Sequence, residues 1–241
     1  MGSAAQKMRT IIIGDIHGCL DELVRLVRTC GGINESRFVL VGDLVAKGPD
    51  SLGVVQWARE AGVAAVLGNH DAHLLGFRPG GDAATEAAGG KKKPRPEHQR
   101  IAATLTPVDW DWLGARPLTL SFGADAAAPD EKLIVVHGGL VPGVKLEAQE
   151  RRWLLALRSI DDDGQPSNRI EGSPWGAKWR GPAHVVFGHD AVRGLQQHPH
   201  ATGLDTGCVY GRRLTALILP ERQLVSVPAR REYCPINGKD G

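Results

Sequence analysis

Residues 9–15 read Arg-Thr-Ile-Ile-Ile-Gly-Asp, a short β-branched run that ends in Gly-Asp. The same arrangement returns at residues 37–43 (Arg-Phe-Val-Leu-Val-Gly-Asp) and at residues 63–69 (Val-Ala-Ala-Val-Leu-Gly-Asn). Apolar residues at helical spacing fill the two intervals between these runs. Strands that are apolar on both faces and alternate with helices are typical of a parallel sheet built from βαβ units. The sequence therefore predicts an α/β fold.

Further helices and strands are predicted from apolar spacing, helix caps and turn residues. Residues 20–27 carry an apolar stripe at helical spacing, Ser51 is the predicted N-cap of a second helix, and Thr106-Pro107 begins a third. Buried strands are predicted at residues 133–136 and 185–187. The C-terminal third is predicted to be β, with strands at 203–208, 214–219 and 223–227 and a hairpin turn at 220–222. Residues 78–100 are predicted to be a long exposed loop.

Composition excludes several classes of protein. The chain has 241 residues, 42% of them hydrophobic, and a formal net charge of +2. That hydrophobic fraction is too high for a disordered chain, and the balanced charge argues against a protein that coats DNA. No uncharged apolar stretch approaches the roughly 20 residues that span a bilayer. We therefore expect neither a DNA partner nor a membrane partner.

Oxygen and imidazole donors follow the five buried strands directly. In parallel sheets, ligands bind outside the carboxyl ends of the strands, so these side chains are expected to lie at one sheet edge. Carboxylate, amide and imidazole donors without a thiolate suit Mn²⁺, Fe or Zn²⁺ better than a structural zinc site. They exceed the number that one ion needs, which indicates a two-metal site. The donors are Asp15, His17, Asp43, Asn69, His70, His137 and His189. His98 is excluded because it falls in the predicted loop, and His198 and His200 because they flank Pro199.

Five motifs carry a family resemblance when they are taken together and in order. They are Gly14-Asp-Ile-His-Gly18, Gly42-Asp-Leu-Val-Ala-Lys-Gly48, Gly68-Asn-His-Asp71, His137-Gly-Gly139 and Gly188-His189. This set resembles the PPP-type calcineurin-like metallophosphoesterases over residues 9 to 227. Within that superfamily, residues 42–51 and 204–211 are most similar to the symmetrical diadenosine tetraphosphatases (ApaH) and the ApaH-like phosphatases.

The resemblance implies a fold and a set of roles. The fold is a four-layer α-β-β-α sandwich with a di-metal site at the strand ends. Asp15 and His17 would bind the first metal, Asp43 would bridge both, and the second would be completed by Asn69, His137 and His189. Manganese is favoured, with iron, zinc, cobalt or magnesium as alternatives. A hydroxide bridging the ions would attack phosphorus in line, and His70 would protonate the leaving oxygen. Asp15, Asp43 and His70 are thus the predicted catalytic residues, and Lys47, Asn69 and His70 the predicted substrate-binding residues.

Two positions depart from the protein Ser/Thr phosphatases of the superfamily. Those enzymes carry Asp-Arg-Gly where this chain has Ala46-Lys47-Gly48. Their aspartate supports the proton-donor histidine, which Ala46 cannot do, and a lysine is a compact charge where arginine clamps phosphate with a planar fork. Both changes favour a nucleotide substrate over a phosphoprotein. They leave the orientation of His70 open, with Asp71 as one candidate support.

Two segments admit alternative interpretations. Lys91-Lys-Lys-Pro-Arg95 is either a solvated loop tip or a basic rim that steers a polyphosphate or an RNA end. Trp175 and Trp179 either pack in the core or stack on a nucleobase.

The chain termini and the cysteines allow predictions of the domain bounds, the cellular compartment and the redox state. We predict a flexible N-terminal extension at residues 1–8, one metallophosphoesterase domain at 9–230 and a C-terminal tail at 231–241. The N-terminal stretch lacks the apolar segment of a secretory signal, so the expected compartment is the cytoplasm. Cys19, Cys30, Cys208 and Cys234 form no Cys-x-x-Cys pair and are expected to be reduced.

The predicted function is hydrolysis of a phosphoanhydride in a nucleoside polyphosphate such as diadenosine tetraphosphate. The alternatives are a Ser/Thr phosphoprotein phosphatase, a pyrophosphatase acting on the 5′ end of capped RNA, and an inactive module that binds phosphorylated or RNA partners. The inactive module is disfavoured because every predicted metal ligand is present.

Overall fold

The computed structural model describes residues 9–33, 36–80, 96–123 and 132–236. The predicted N-terminal extension and the basic segment at 91–95 lie outside these ranges. In the first half of the chain the elements are β1 (Arg9–Ile13), α1 (Leu20–Thr29), β2 (Ser36–Leu40), α2 (Ser51–Glu60), β3 (Ala64–Ala65), α3 (Asn69–Leu75), α4 (Pro96–Ala102), α5 (Pro107–Gly114) and β4 (Thr119–Phe122).

The second half carries most of the strands. Its elements are β5 (Leu133–Val136), a 3₁₀ turn (Leu146–Ala148), α6 (Arg151–Ala156), β6 (Ser159–Ile160), β7 (Pro166–Ser167), β8 (Ser173–Pro174), α7 (Trp175–Lys178), β9 (His184–Phe187), β10 (Gln196–His198), β11 (Ala201–Gly203), β12 (Arg213–Leu219) and β13 (Gln223–Pro228).

Two five-stranded sheets organise the described chain, and both are mixed. The first has the order β13-β12-β1-β2-β3, and the second has the order β10-β11-β9-β5-β4. Strands β1, β2 and β3 are parallel, as predicted, but β12 pairs antiparallel with β1. Strands β5 and β9 are parallel neighbours in the second sheet. The expectation of one sheet edge for all five donor-bearing strand ends is therefore wrong, because those strands are divided between two sheets.

Alternate residues of the central strands enter different cores. Ile12 of β1 packs between the sheets with Val135 of β5 and Val186 of β9. Its neighbours Ile11 and Ile13 face α1 and α2 on the outer side of the first sheet. On the outer side of the second sheet, Val185 and Phe187 pack against α6 and α7. This pattern explains why the strands read as apolar on both faces, and it produces the predicted four layers.

Local signals set the helix boundaries. Asp50, not Ser51, is the N-cap of α2, because its side chain accepts a hydrogen bond from the amide of Gly53 (2.8 Å). Ser51 instead accepts from the amide of Ala46 (3.0 Å). Helix α5 begins as predicted, with Thr106 as its N-cap and Pro107 in its first turn.

Two further predicted boundaries are wrong. Helix α4 begins at Pro96, inside the segment predicted to be loop. Strand β11 ends at Gly203, so residues 204–208 are not the predicted strand. Both differences bring side chains to the strand ends described below.

The structure also shows the state of the cysteines and the packing of the two tryptophans that the sequence left open. Cys19, Cys30 and Cys208 are buried, and all four cysteines are free thiols. Trp175 is buried against Phe187 and donates a hydrogen bond to the carbonyl of Gly138 (3.1 Å), so it packs rather than stacks on a base. Trp179 donates to the carbonyl of Ala183. None of the helices in the described ranges is long and apolar enough to cross a membrane.

Candidate metal centre and active site

The two sheets bring the sequence-predicted donors together at their facing strand ends. The first sheet supplies Asp15, His17 and Asp43 from the turns after β1 and β2, and Asn69 and His70 begin α3 beyond β3. The second sheet supplies His137 after β5 and His189 after β9. Asn69 is partly exposed, whereas the other donors are buried.

Asp43 lies at the centre of this cluster. One of its carboxylate oxygens lies 3.4 Å from Nε2 of His17, and the other lies 3.4 Å from Nε2 of His137. Two groups of potential metal ligands share it: Asp15, Asp43 and His137 form one, and His17, Asp43 and His70 form the other. A single carboxylate common to two adjacent ligand groups is the arrangement that a bridging ligand requires.

Backbone carbonyls fix the tautomers of two histidines. The Nδ1–H of His17 donates to the carbonyl of Val45 (3.0 Å), and that of His137 donates to the carbonyl of Val41 (2.9 Å). Each neutral ring therefore presents the lone pair of Nε2 to Asp43. Histidines that bind metals are commonly oriented in this way by a hydrogen bond from the other ring nitrogen.

The amide oxygen of Asn69 faces the second sheet. It lies 2.9 Å from Nε2 of His137 and 2.8 Å from Nδ1 of His189. Since Nδ1 of His137 already holds the ring proton, this contact sets one acceptor against another. A cation between these groups would satisfy them, so the residues fit a metal centre.

A glycine lets the sheets approach at this point. A Cβ on Gly188, after β9 of the second sheet, would overlap the carboxylate of Asp15, after β1 of the first sheet. The carboxylate of Asp15 accepts a hydrogen bond from the amide of His189, at 3.1 Å to the nearer oxygen. The two sheets are thereby joined directly beside the donor cluster.

Burial also controls the charges of the cluster. Desolvation raises the pKa of Asp43 to about 6, and desolvation together with Asp205 and Asp43 raises that of Asp15. The pKa of His137 falls to about 4, and that of His17 also falls, mainly because both rings are desolvated. Neutral imidazoles and crowded carboxylates are the donor states that divalent ions select.

Lys47 lies at the open side of the cluster. Its ammonium donates to the hydroxyl of Tyr210 (2.7 Å) and lies 3.4 Å from Nε2 of His17. A neighbouring cavity of about 370 Å³ is lined by Lys47, Gly48, Pro49, Arg231, Glu232 and Tyr233. The positively charged ammonium group of Lys47 therefore lies between the donor cluster and an open groove.

Sequence reasoning missed three side chains near the cluster. His98 is buried on α4 against the ring of His70. Asp205 follows β11, and Tyr210 lies a few residues beyond it; both line the pocket that contains Asp43 and His70. Asp205 was detectable in principle, because it follows a strand in the same way as the other donors. It was hidden by the incorrect extension of that strand to residue 208.

Comparison with known proteins agrees with this geometry. The profile of the calcineurin-like phosphoesterase family matches residues 8–211. The chain belongs to this family. The predicted family, the α/β sandwich and the assignment as a hydrolase are thereby confirmed.

Two relatives and one solved structure give the range of similarity. A symmetrical bis(5′-nucleosyl)-tetraphosphatase of Aromatoleum aromaticum is 30% identical, over 93% of this chain and 98% of its own length. An asymmetrical one, PrpE of Anoxybacillus flavithermus, is 29% identical, over 92% of this chain and 95% of its own. A crystal structure assigned as a diadenosine tetraphosphatase superposes with a TM-score of 0.77 at 35% identity, covering 93% of this chain and 95% of that one.

Proposed function

We propose that this chain hydrolyses a phosphoanhydride bond of a nucleoside polyphosphate of the diadenosine tetraphosphate class, using two divalent ions. The observation that carries the proposal is Asp43, whose two carboxylate oxygens face histidines from different sheets, His17 and His137, each at 3.4 Å. The remaining proposed ligands are Asp15, His17, Asn69, His137 and His189. Manganese is the first candidate metal, since the donors are oxygen and imidazole.

The ions, when bound, would lower the pKa of the attacking water and neutralise the phosphoryl oxygens, with attack in line. Side chains of the protein bind the phosphates and protonate the leaving group. Lys47 places a positive charge where the phosphates enter, and Tyr210 fixes that ammonium. His70 donates a proton to the leaving oxygen.

Two observations support a nucleotide rather than a bare phosphate as substrate. The cavity beside Lys47 is within the size range of small-molecule sites, about 300–1,000 Å³, at about 370 Å³. The relatives named above act on dinucleoside tetraphosphates by their names. Ala46 and Lys47, in place of the Asp-Arg of the protein phosphatases, separate this site from theirs.

A substrate panel with defined metals tests the proposal. The metal-free protein is loaded in turn with Mn²⁺, Fe²⁺, Zn²⁺, Co²⁺ or Mg²⁺ and offered diadenosine tetraphosphate, capped RNA, a phosphoserine peptide and 4-nitrophenyl phosphate. We expect the highest kcat/KM on the dinucleotide with Mn²⁺. Turnover of the peptide above the dinucleotide would make the chain a protein phosphatase, and preference for the RNA would make it a cap pyrophosphatase.

The products decide the symmetry of cleavage. Two molecules of ADP indicate symmetrical cleavage, whereas ATP with AMP indicates asymmetrical cleavage. No turnover of any substrate with any metal contradicts the proposal.

A further inference from the structure

In the protein phosphatases, an aspartate supports the proton-donor histidine. This chain has no carboxylate at that position to orient His70. Ala46 occupies that position and is buried. The other sequence candidate, Asp71, directs both carboxylate oxygens to the backbone: it accepts from the amides of Leu44 (2.9 Å) and Gly68 (3.0 Å). Asp71 therefore holds the loop after β2 to the start of α3.

His98 contacts the face of the His70 ring. The two ring centroids are 5.5 Å apart and the rings are inclined by only 18°. A second ring, that of His17, meets His70 edge to face at 5.0 Å and 89°. Stacking on one ring and an edge contact with another together define a plane for the His70 ring.

His98 is itself firmly held. It is 0% exposed. The ring of His73 lies edge to face against it at 4.6 Å, and the ring of Phe77 is nearly parallel at 6.3 Å. These partners belong to α3 and the turn after it, the same segment that carries His70 at its start. Helix α4 thus packs its histidine along α3.

The neighbouring residue ties α4 to the phosphate side of the site. The carboxylate of Glu97 accepts a hydrogen bond from the backbone amide of Lys47. Adjacent residues of one helix therefore contact the loop of Ala46 and Lys47 and the ring of His70. This helix lies where the sequence indicated only a loop.

We propose that His98 is the positioning residue for His70, and that its flat ring holds the His70 imidazole in the plane from which it donates a proton to the leaving group. This inference rests on the proposed function, in which His70 is that donor. It assigns to a stacked ring on α4 the task that a carboxylate performs in the protein phosphatases.

Leaving-group dependence provides the test. With the Mn²⁺-loaded enzyme, H98A lowers kcat for phenyl phosphate about 10- to 100-fold, but changes turnover of 4-nitrophenyl phosphate less than about twofold, since 4-nitrophenolate leaves without a proton. H98F keeps a flat ring and restores most of the loss. H98L, which fills the buried volume without a flat ring, behaves as H98A and replaces it if H98A does not fold. Q99A, an exposed neighbour on the same helix, is the matched control.

The double variant separates positioning from a general structural effect. H70A shows the same selective loss, larger in size, and H70A/H98A is no slower than H70A because His98 acts only through His70. In the metal-free protein, the ring-proton resonances of His70 shift in H98A and H98L and return toward the wild-type position in H98F.

Four results would overturn the inference. Equal losses of H98A on both substrates, or losses that add to those of H70A, reduce His98 to a structural residue. An unchanged His70 resonance in H98A removes the ring contact as the cause. If H70A itself shows no leaving-group selectivity, the proton-donor role in the proposed function fails, and the positioning role fails with it.

Discussion

Strained backbone at single residues marks the site. Six non-glycine residues of the described chain have positive φ, and five of them surround the donor cluster: His17, Asp43, Ala46, Lys47 and His189. Such conformations cost about 1–3 kcal/mol each and persist only where the surroundings impose them. Three of them, His17, Asp43 and His189, are predicted metal donors, and Ala46 and Lys47 lie in the loop beside them. The geometry of the cluster thus has a cost in stability.

Replacing Asp43 tests its bridging position. In Asp43→Asn we expect a loss of kcat on 4-nitrophenyl phosphate larger than the roughly 10- to 100-fold that follows loss of an outer-sphere partner, because an amide cannot supply two charged oxygens to two ions. Calorimetric titration of the metal-free protein with Mn²⁺ should show weaker binding. Asp21→Asn, an exposed carboxylate paired with Arg230 (3.3 Å), is the control. Unchanged stoichiometry and affinity would remove Asp43 from the bridge.

Lys47 offers a second residue-level test. Lys47→Met keeps the length of the side chain and removes its charge, so KM for a dinucleoside polyphosphate should rise roughly tenfold, or about 1.4 kcal/mol, with a smaller change in kcat. Tyr210→Phe removes only the hydroxyl that fixes the ammonium (2.7 Å) and should raise KM less. The measurement is steady-state kinetics at two salt concentrations. A rise in KM for Tyr210→Phe that equals or exceeds the Lys47→Met value contradicts this order.

Among the secondary-structure elements, the strand ends that carry donors could be predicted from the sequence, whereas helix α4 could not. The donors after β1, β2, β5 and β9 follow apolar runs whose period and glycines are local signals. Helix α4 is short and follows a stretch of Gly, Lys and Pro that favours loop. Its helical state depends on burying His98 against α3, which is a tertiary contact. The division of the strands between two sheets is likewise non-local, since β5 and β9 carry the same sequence signal as β1 and β2.

The close approach of the sheets can be tested at Gly188. Gly188→Ala would place a Cβ against the carboxylate of Asp15, so we expect destabilisation of about 1–3 kcal/mol, typical of overpacking, together with weaker Mn²⁺ binding. Gly123→Ala is the matched control, because a Cβ there meets no atom of the described residues within 4 Å. Denaturant unfolding and metal titration of both variants give the comparison. Equal effects in the two variants would contradict the packing argument.

For the whole molecule, the cluster makes metal binding depend on pH. The carboxyl of Asp43, whose pKa is raised to about 6, must release its proton before it can hold a cation. His137, with a pKa of about 4, is already neutral at pH 5. Saturating Mn²⁺ should therefore raise Tm more at pH 7.5 than at pH 5. Thermal scans with Mn²⁺ and with a chelator measure this difference, and an equal rise at both pH values would contradict it.

The stability of the metal-free protein should depend less on pH, because two contributions to its free energy of unfolding change in opposite directions. The raised carboxyl pKa values give stability that is lost as pH rises from about 3.8 to about 6. The lowered pKa of His137 gives stability that is gained as pH rises from about 4 to about 6.5. The chelated protein is the reference for the Mn²⁺ effect for this reason.

Strand β1 has a consequence for the order in which the protein is completed on the ribosome. Its residues pair on one side with β2 and on the other with β12, where Ile13 lies opposite Ala216. Gly14, next to the first donor, also donates its amide to the carbonyl of Thr215 (3.0 Å). The first donors to be synthesised are therefore fixed in place only after one of the last strands has paired, so we expect the proposed metal centre to be complete only when β12 has emerged from the exit tunnel.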